Sequence, residues 1–227
     1  MKIPFPKVLT FNGGYVDTAG FLALHGLFAA HVTGNFATFG ASLVNGTSGA
    51  TGKLLALPVF CLVVMLARLA AGFFARRGAS ALKGLVCAMA VLLALGALLA
   101  IRNGPFVDGD SLAAIVTGVL LVAAMAIQNV VHRVHFPKAP PTTLMTGSTT
   151  QAMIDLADLA QGGLDAGARA AIKARCAALG TSICIFAAGC GVAALGYMQV
   201  GMWVFIPPVL LTTLLLLCPP SPEGAPA

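Results

Sequence analysis

The chain has 227 residues, of which 59% are hydrophobic and only 9% are charged, and its mean hydropathy is +0.95. So much apolar surface cannot be hidden in the core of a water-soluble domain of this length, which excludes that class. The formal net charge is +6, but the basic residues stand singly or in pairs between apolar runs, which argues against a nucleic-acid partner. We therefore expect an all-α integral membrane protein whose main partner is the lipid bilayer.

Six apolar runs are long enough to cross a bilayer as helices, since each crossing needs roughly 20 apolar residues. In chain order these predicted spans are 13–30, 54–75, 82–101, 113–131, 176–197 and 202–218. Two further segments, 33–44 and 146–160, have helical character but are too short or too polar for complete spans. We expect them to be re-entrant or broken half-helices. Pro207 and Pro208 predict a kink or break in the last span.

The positions of Lys and Arg predict how the chain is oriented. With the N-terminus in the cytoplasm, the crossings place most of the 13 basic residues on the cytoplasmic side. Lys53 and Arg102 fall outside, and Arg68 lies within a span. This predicts a multi-pass protein of the cell inner membrane with both termini in the cytoplasm. Residues 1–218 are expected to form one transmembrane domain, and 219–227 a disordered cytoplasmic tail rich in Pro and small residues.

The two halves of the chain share a pattern that predicts an internal repeat. Residues 31–38 (HVTGNFAT) resemble 144–151 (LMTGSTTQ), and each segment follows one span and precedes two more. The repeats are about 8–102 and 111–218, each with three spans and one short helix. Because three is odd, the second copy must lie upside down relative to the first, as in many secondary transporters. The alternative is chance recurrence of a Thr-Gly pair in a chain with 26 glycines.

The two Thr-Gly pairs predict where a solute would bind. Thr33 and Thr146 are suitable N-caps, and Gly34 and Gly147 would let other backbone approach closely. Two half-helix N-termini meeting near the midplane would attract an anion or a carbonyl-rich solute. The alternative is a pair of ordinary helix caps. The residues predicted to form the substrate site are Asp17, Thr33, Gly34, Asn35, Gln128, Asn129, Thr146, Gly147 and Ser148.

Asp17 is an ionisable residue inside a predicted span, which costs at least a few kcal/mol unless the group is paired, hydrated or protonated. Arg68 is a candidate partner for an ion pair or for coupling, although its long side chain could instead reach the membrane interface. With one gap in the repeat, Asp17 aligns with Asn129, next to Gln128. A carboxylate in one half would carry a proton while the amide in the other positions the solute. The alternative is that Gln128 and Asn129 only link helices by hydrogen bonds.

Metal and cofactor chemistry is not indicated by the sequence. His25 and His31 are six residues apart, which is not the spacing of two ligands on one helical face. The six cysteines form no CxxC pair and are best interpreted as small apolar residues in the spans. We therefore expect no bound metal and no cofactor.

Several of these residues form a pattern that resembles a known family. They are Gly14-Tyr15-Val16-Asp17, Phe28, the run HVTGN at 31–35, AIQN at 126–129 and MTG at 145–147. This pattern resembles the YoaK family, a group of small multi-pass bacterial membrane proteins filed under a domain of unknown function, over nearly the whole chain. Ser148 stands where Asn is more usual. The resemblance implies an inner-membrane location and no established biochemical activity.

The leading functional hypothesis is a secondary transporter or permease for a small solute, with an anion and proton coupling as its first candidates. No nucleotide-binding loop of the GxxxxGK[ST] kind is present, which argues against ATP-driven transport. An enzyme is not expected, because no nucleophile, base or metal ligands converge near one interface. A non-catalytic scaffold or sensor and a channel are the remaining alternatives. A homo-oligomer is compatible with the sequence, which holds no information on oligomeric state.

Overall fold

The computed structural model describes residues 4–218, and within that range the chain is helical throughout, without a strand. The helices in chain order are α1 Phe5–Ala23, α2 Asn35–Asn45, α3 Ala50–Arg76, α4 Ala81–Asn103, α5 Leu112–His135, α6 Met145–Gln161, α7 Ala166–Val200 and α8 Ile206–Leu217. This confirms the all-α prediction. The predicted tail, 219–227, lies outside the described residues.

Four stretches of the described chain are long and apolar enough to cross a membrane. Three are the helices α3, α4 and α5, and the fourth is Ala166–Leu217, which contains α7, a 3-10 turn at Gly201–Phe205, and α8. Many of their large apolar side chains are exposed on the protein surface, including Leu62, Leu69 and Leu195. Such side chains suit contact with lipid tails rather than water.

The first predicted span has the wrong bounds. The helix α1 begins earlier than expected, at Phe5, and ends at Ala23. Beyond it, His25 and Gly26 have φ values of 54° and 88°, a left-handed backbone that a right-handed helix cannot contain. The apolar stretch up to Ala30 is therefore a return loop and not the end of a span.

The two short helices and the proline pair show how well local signals predicted the elements. Helices α2 and α6 lie within two residues of the predicted 33–44 and 146–160. Pro207 and Pro208 do not kink a helix; they occupy the first turn of α8, where a missing N–H costs nothing. The predicted break therefore lies before the prolines, in the 3-10 turn.

Helix α1 crosses α7 at very close range. Gly14 faces the backbone carbonyl of Phe186, and Gly189 faces the backbone carbonyl of Phe11, so that a Cβ at either glycine would collide with the opposite helix. Helix α5 packs against α3 and α4, and is the most enclosed of the long helices. Helices α1 and α5 therefore lie in the interior of the fold and contact each other there, while α3 and α4 have many exposed apolar side chains.

Each short helix packs against the long helix that follows it. Helix α2 is held on α3 by the Lys53 ammonium, which donates to the Ser42 hydroxyl at 2.5 Å. Helix α6 is held on α7 by Arg175, which donates to both carboxylate oxygens of Asp155 at 2.9 and 2.6 Å. In both pairs, a basic residue of the long helix binds a buried polar residue of the short one.

Candidate functional site

Asp17 lies in α1, and its carboxylate is the centre of a polar cluster that joins this helix to Ala30 and His31. Its Oδ1 accepts hydrogen bonds from the backbone N–H of Ala30 at 2.7 Å and of His31 at 3.2 Å. Its Oδ2 lies 2.7 Å from Nδ1 of His31. The Asp17 side chain is 5% exposed and that of His31 is 30% exposed. The carboxylate is thus compensated by three donors, and the imidazole links it to a more accessible region.

Arg68 is not the partner of Asp17. Among residues 4–218, the ion pairs are Asp17 with His31 and Asp155 with Arg175. Arg68 lies on α3 close enough to His135, the last residue of α5, for the two to interact electrostatically. The sequence pointed to Arg68 because it was the one basic residue inside a predicted span. It gave no comparable signal for His31, whose contact depends on the chain folding back.

Thr33 does not cap a helix as predicted. It lies inside a 3-10 turn, Val32–Gly34, and α2 begins at Asn35 without a side-chain cap. Asn35 is buried and bonds the return loop twice: its Oδ1 accepts from the Phe28 N–H at 2.9 Å, and its Nδ2 donates to the Phe28 carbonyl at 2.8 Å. Gly34 packs against the Phe28 ring. Asn35 and Gly34 therefore shape the loop, and Asp17 binds the same segment through the N–H groups of Ala30 and His31.

The second Thr-Gly pair also differs from its predicted role. Thr146 and Gly147 lie within the first turn of α6, whose N-cap is Leu144 and has no side-chain cap. A Cβ added at Gly147 would have no atom of another part of the described chain within 4 Å. The Ser148 hydroxyl donates to the Leu144 carbonyl of its own helix at 3.5 Å. Helix α2, which follows Thr33 and Gly34, packs on α3, and α6, which contains Thr146 and Gly147, packs on α7. That the two Thr-Gly segments meet stays a prediction.

Gln128 and Asn129 occupy the middle of the molecule. Gln128 is fully buried and links α5 to α1, accepting from Asn12 at 2.9 Å and donating to the Leu9 carbonyl at 2.9 Å. Asn129 accepts a hydrogen bond from the Thr143 hydroxyl at 2.9 Å and donates to the Met125 carbonyl. Gln128 therefore links two helices by hydrogen bonds, as one of the alternatives predicted. Asn129 instead binds the segment that follows its own helix.

The contacts of Asp17 and Asn129 share one geometry. Asp17 binds His31, which lies 14 residues further along the chain, and Asn129 binds Thr143, also 14 residues further. In each case a polar residue within a helix binds the segment that leads to the next short helix. Two buried atoms beside these contacts, Asn12 Oδ1 and Thr142 Oγ1, have no hydrogen-bond partner in the described chain. Unpaired buried polar atoms are uncommon because each costs roughly 1–3 kcal/mol.

A cavity of about 420 Å³ opens beside this cluster, near the N-terminal end of α1. Its walls come from three segments that are distant in sequence: the start of α1, the loop between α5 and α6, and the middle of α7. The lining residues are Pro4, Pro6, Lys7, Thr10, Lys138, Ala139, Pro140, Ala177, Ala178, Thr181, Ser182 and Ile185. None of them was a predicted site residue, because their proximity depends on the tertiary fold.

The cavity and the Asp17–His31 pair are neighbours along the same two helices. On α1, Thr10 lies two turns before Asp17, which corresponds to about 10 Å along the helix axis. On α7, Phe186 follows Ser182 by one turn, and its ring centroid lies 5.6 Å from that of His31. Phe186, which is next in sequence to the lining residue Ile185, therefore packs against the imidazole.

The other end of α1 is joined to the α4–α5 loop. The Asp110 carboxylate accepts hydrogen bonds from the backbone N–H of Gly49 and Thr51, both at 2.8 Å, at the start of α3. His25 Nε2 lies 2.8 Å from the Phe106 carbonyl in the same region. Burial opposes ionisation of Asp110, but the backbone donors outweigh it and hold the pKa of the carboxyl below its ordinary value.

Within the described residues, no three His, Cys, Asp or Glu side chains lie close enough together to hold a metal ion. The fold and the polar centre define a class: an all-helical protein with several helices suited to cross a membrane and a buried carboxylate at its middle.

The chain belongs to the family described as protein of unknown function (DUF1275), whose family model matches residues 7–218. A comparison with curated proteins finds no match, and neither does a comparison with solved structures. The expected membership of a family of unknown function is thereby confirmed at that level.

Proposed function

We propose that the chain is a secondary transporter or permease for a small solute, built as an inverted repeat and located in the inner membrane with both termini in the cytoplasm. An anion is the first candidate for the solute and a proton for the coupling ion. The single observation that carries this proposal is the Asp17–His31 pair: a buried carboxylate within α1, bound to a histidine of the segment that follows this helix. Ionisable groups in such positions commonly mark solute or proton pathways.

The order and packing of the helices support an inverted repeat. Each half has four α-helices, of which the second is a short one, α2 or α6, that packs on the third, α3 or α7. The first helix of one half packs on the third element of the other, as α1 does on α7 and α5 does on α3. The register that aligns Thr33 with Thr146 also aligns Ser42 with Asp155, the residues that fix the short helices to α3 and α7. Six crossings remain the predicted number, with α1 and α8 as the shorter two.

The polar centre offers a better substrate site than the two Thr-Gly pairs do. Asp17 and His31 supply a titratable pair, while Asn129 and Thr143 supply a neutral counterpart in the second half. The unpaired oxygens of Asn12 and Thr142 lie near the same α1–α5 crossing and could accept hydrogen bonds from a solute. We therefore place the substrate between these groups, with Gln128 as the link that sets the spacing of α1 and α5.

Proton coupling is tested by Asp17→Asn. The amide can still accept from the Ala30 N–H, so the loop should remain anchored, but it cannot exchange a proton near neutral pH. We expect solute-driven proton movement to fall by at least about tenfold, as the loss of a charged hydrogen bond would give. A thermal-shift screen of the purified protein against inorganic anions, organic acids, amino acids and nucleobases selects the solute. Its uptake is then followed in proteoliposomes containing a pH-sensitive dye.

The matched control is Asp108→Asn, because Asp108 is an exposed carboxylate in the α4–α5 loop, away from the polar centre. It should transport as the wild type does. Unchanged proton movement in Asp17→Asn would contradict the coupling role of Asp17.

A non-catalytic membrane scaffold is the second candidate, because Asn35 and Gln128 have all their polar atoms bound by the chain itself. That reading predicts that no compound in the screen raises the melting temperature. We propose no enzymatic activity. The narrower assignment to the YoaK family within DUF1275 remains a prediction.

A further inference from the structure

The cavity beside α1 combines positive charge with apolar walls. Among residues 4–218, Lys7 and Lys138 are the charged residues that line it, and no acidic side chain does. Both lysines are exposed, and neither takes part in the ion pairs found among residues 4–218. Two ammonium groups in the lining of one cavity create a local positive potential, and neither is in an ion pair with the described part of the chain.

The remaining lining is mostly apolar or has its donors already in use. The Thr10 and Thr181 hydroxyls donate to backbone carbonyls of their own helices at 2.8 Å. The Ser182 hydroxyl makes only a long contact, 3.4 Å, with the Pro141 carbonyl. Prolines, alanines and Ile185 supply the other walls. A ligand in the cavity would therefore meet two positive charges and a largely apolar wall.

We propose that this cavity binds an amphipathic anion: a carboxylate or phosphate group held by Lys7 and Lys138, attached to a compact apolar body packed against Ile185 and the proline walls. The volume of about 420 Å³ is within the range of pockets that enclose small organic ligands. Ser182, whose present hydrogen bond is long, can turn its hydroxyl toward the ligand. Free organic anions and the headgroup region of an anionic lipid share this chemistry.

This site is separate from the Asp17–His31 pair and goes beyond the proposed transport. It begins two helical turns away on α1, and neither Asp17 nor His31 is among its lining residues. Binding here requires no proton and no movement of solute across a membrane. Failure of the transport assay would therefore leave it intact, and the reverse also holds.

The test measures octanoate binding to the full-length protein in nanodiscs of phosphatidylcholine, using the rise in melting temperature across a concentration series. Octanamide, which has the same apolar body without the charge, is the ligand control. We expect saturable binding of octanoate and no binding of octanamide. In the double variant Lys7→Gln, Lys138→Gln, octanoate should bind at least about tenfold more weakly, because the loss of a hydrogen bond to a charged group has an effect of that size.

Two further variants separate charge from structure. Lys83→Gln removes an exposed lysine from the start of α4, outside the cavity, and should bind octanoate like the wild type. Lys7→Arg, Lys138→Arg keeps both charges and should retain binding. Size-exclusion chromatography of every variant checks the fold.

A second arm identifies the source of the anion. Nanodiscs that also contain phosphatidylglycerol are analysed by native mass spectrometry for lipid retained on the protein. The site would be assigned to a lipid headgroup if phosphatidylglycerol is retained, weakens octanoate binding and is no longer retained by the Lys-to-Gln double variant. Octanoate binding without such competition would assign the site to a free anion. Equal binding of octanamide, or no difference between the wild type and the double variant in both arms, would overturn the proposal.

Discussion

At the scale of single residues, polar side chains in this protein mainly hold loops that leave the helices. Asp17 and Asn129 each reach 14 residues along the chain, and Asn35 closes the loop that begins at Phe28. Such contacts replace water that the loops would otherwise need, which is essential where a bilayer surrounds the protein. Some of the residues that were predicted to bind a solute thus hold the loops that follow the helices.

Asn35→Ala tests the importance of the return loop for stability. Both the N–H and the carbonyl of Phe28 lose their partners, so we expect the free energy of unfolding to fall by about 2 kcal/mol. Asn45→Ala is the matched control, because Asn45 is the exposed last residue of the same helix. Unfolding in detergent with increasing denaturant measures both. Equal losses in the two variants would show that the Phe28 contacts contribute nothing particular.

Asp110→Asn tests the loop contact at the start of α3. The native pKa of Asp110 lies below its ordinary value, so the ionised carboxylate stabilises the fold at neutral pH. That contribution is lost as pH falls from the ordinary value, 3.8, through the lower native one.

We therefore expect wild type to melt at a higher temperature than Asp110→Asn at pH 7, and the difference to shrink at pH 3. Comparing the two proteins at each pH cancels the titration of the other groups, and a difference independent of pH would contradict the assignment.

At the scale of helices, the crossing of α1 and α7 sets how close the two halves approach. Gly189→Ala should lower the melting temperature, because the added Cβ collides with the Phe11 carbonyl. Gly191→Ala on the same helix should raise it slightly, because no atom lies near that Cβ and Ala favours the helix by about 0.5–1 kcal/mol. Thermal unfolding measures both variants. The same sign in both would mean that the close crossing does not limit stability.

The helices themselves could be predicted from local pattern more readily than their ends. The helical character of 33–44 and 146–160 located α2 and α6 to within two residues. The end of α1 was missed because the loop beyond it is as apolar as the helix, and only the backbone at His25 and Gly26 breaks it. Thr33 was misassigned as a cap because it lies inside a 3-10 turn, Val32–Gly34, and α2 begins after that turn without a side-chain cap.

At the scale of the whole molecule, the candidate sites arise from contacts between distant segments. The sequence identified Asp17 from its chemistry, since a carboxylate in an apolar run is conspicuous. It could not identify the cavity, whose walls join the start of α1 to the middle of α7 and the loop after α5. Lys7 and Lys138 were interpreted only as markers of orientation, which fits their exposure. That interpretation does not predict that both residues line the same cavity.

The two loop-holding contacts differ in one respect: Asp17 can gain or lose a charge, and Asn129 cannot. A living membrane carries an electrical potential, and displacing one elementary charge through 100 mV of it changes the energy by about 2.3 kcal/mol. The uncharged pair in the second half does not respond to that field. Of the two contacts, only Asp17–His31 can make the behaviour of the protein depend on voltage, and it does so only in the protonation states in which the pair carries net charge.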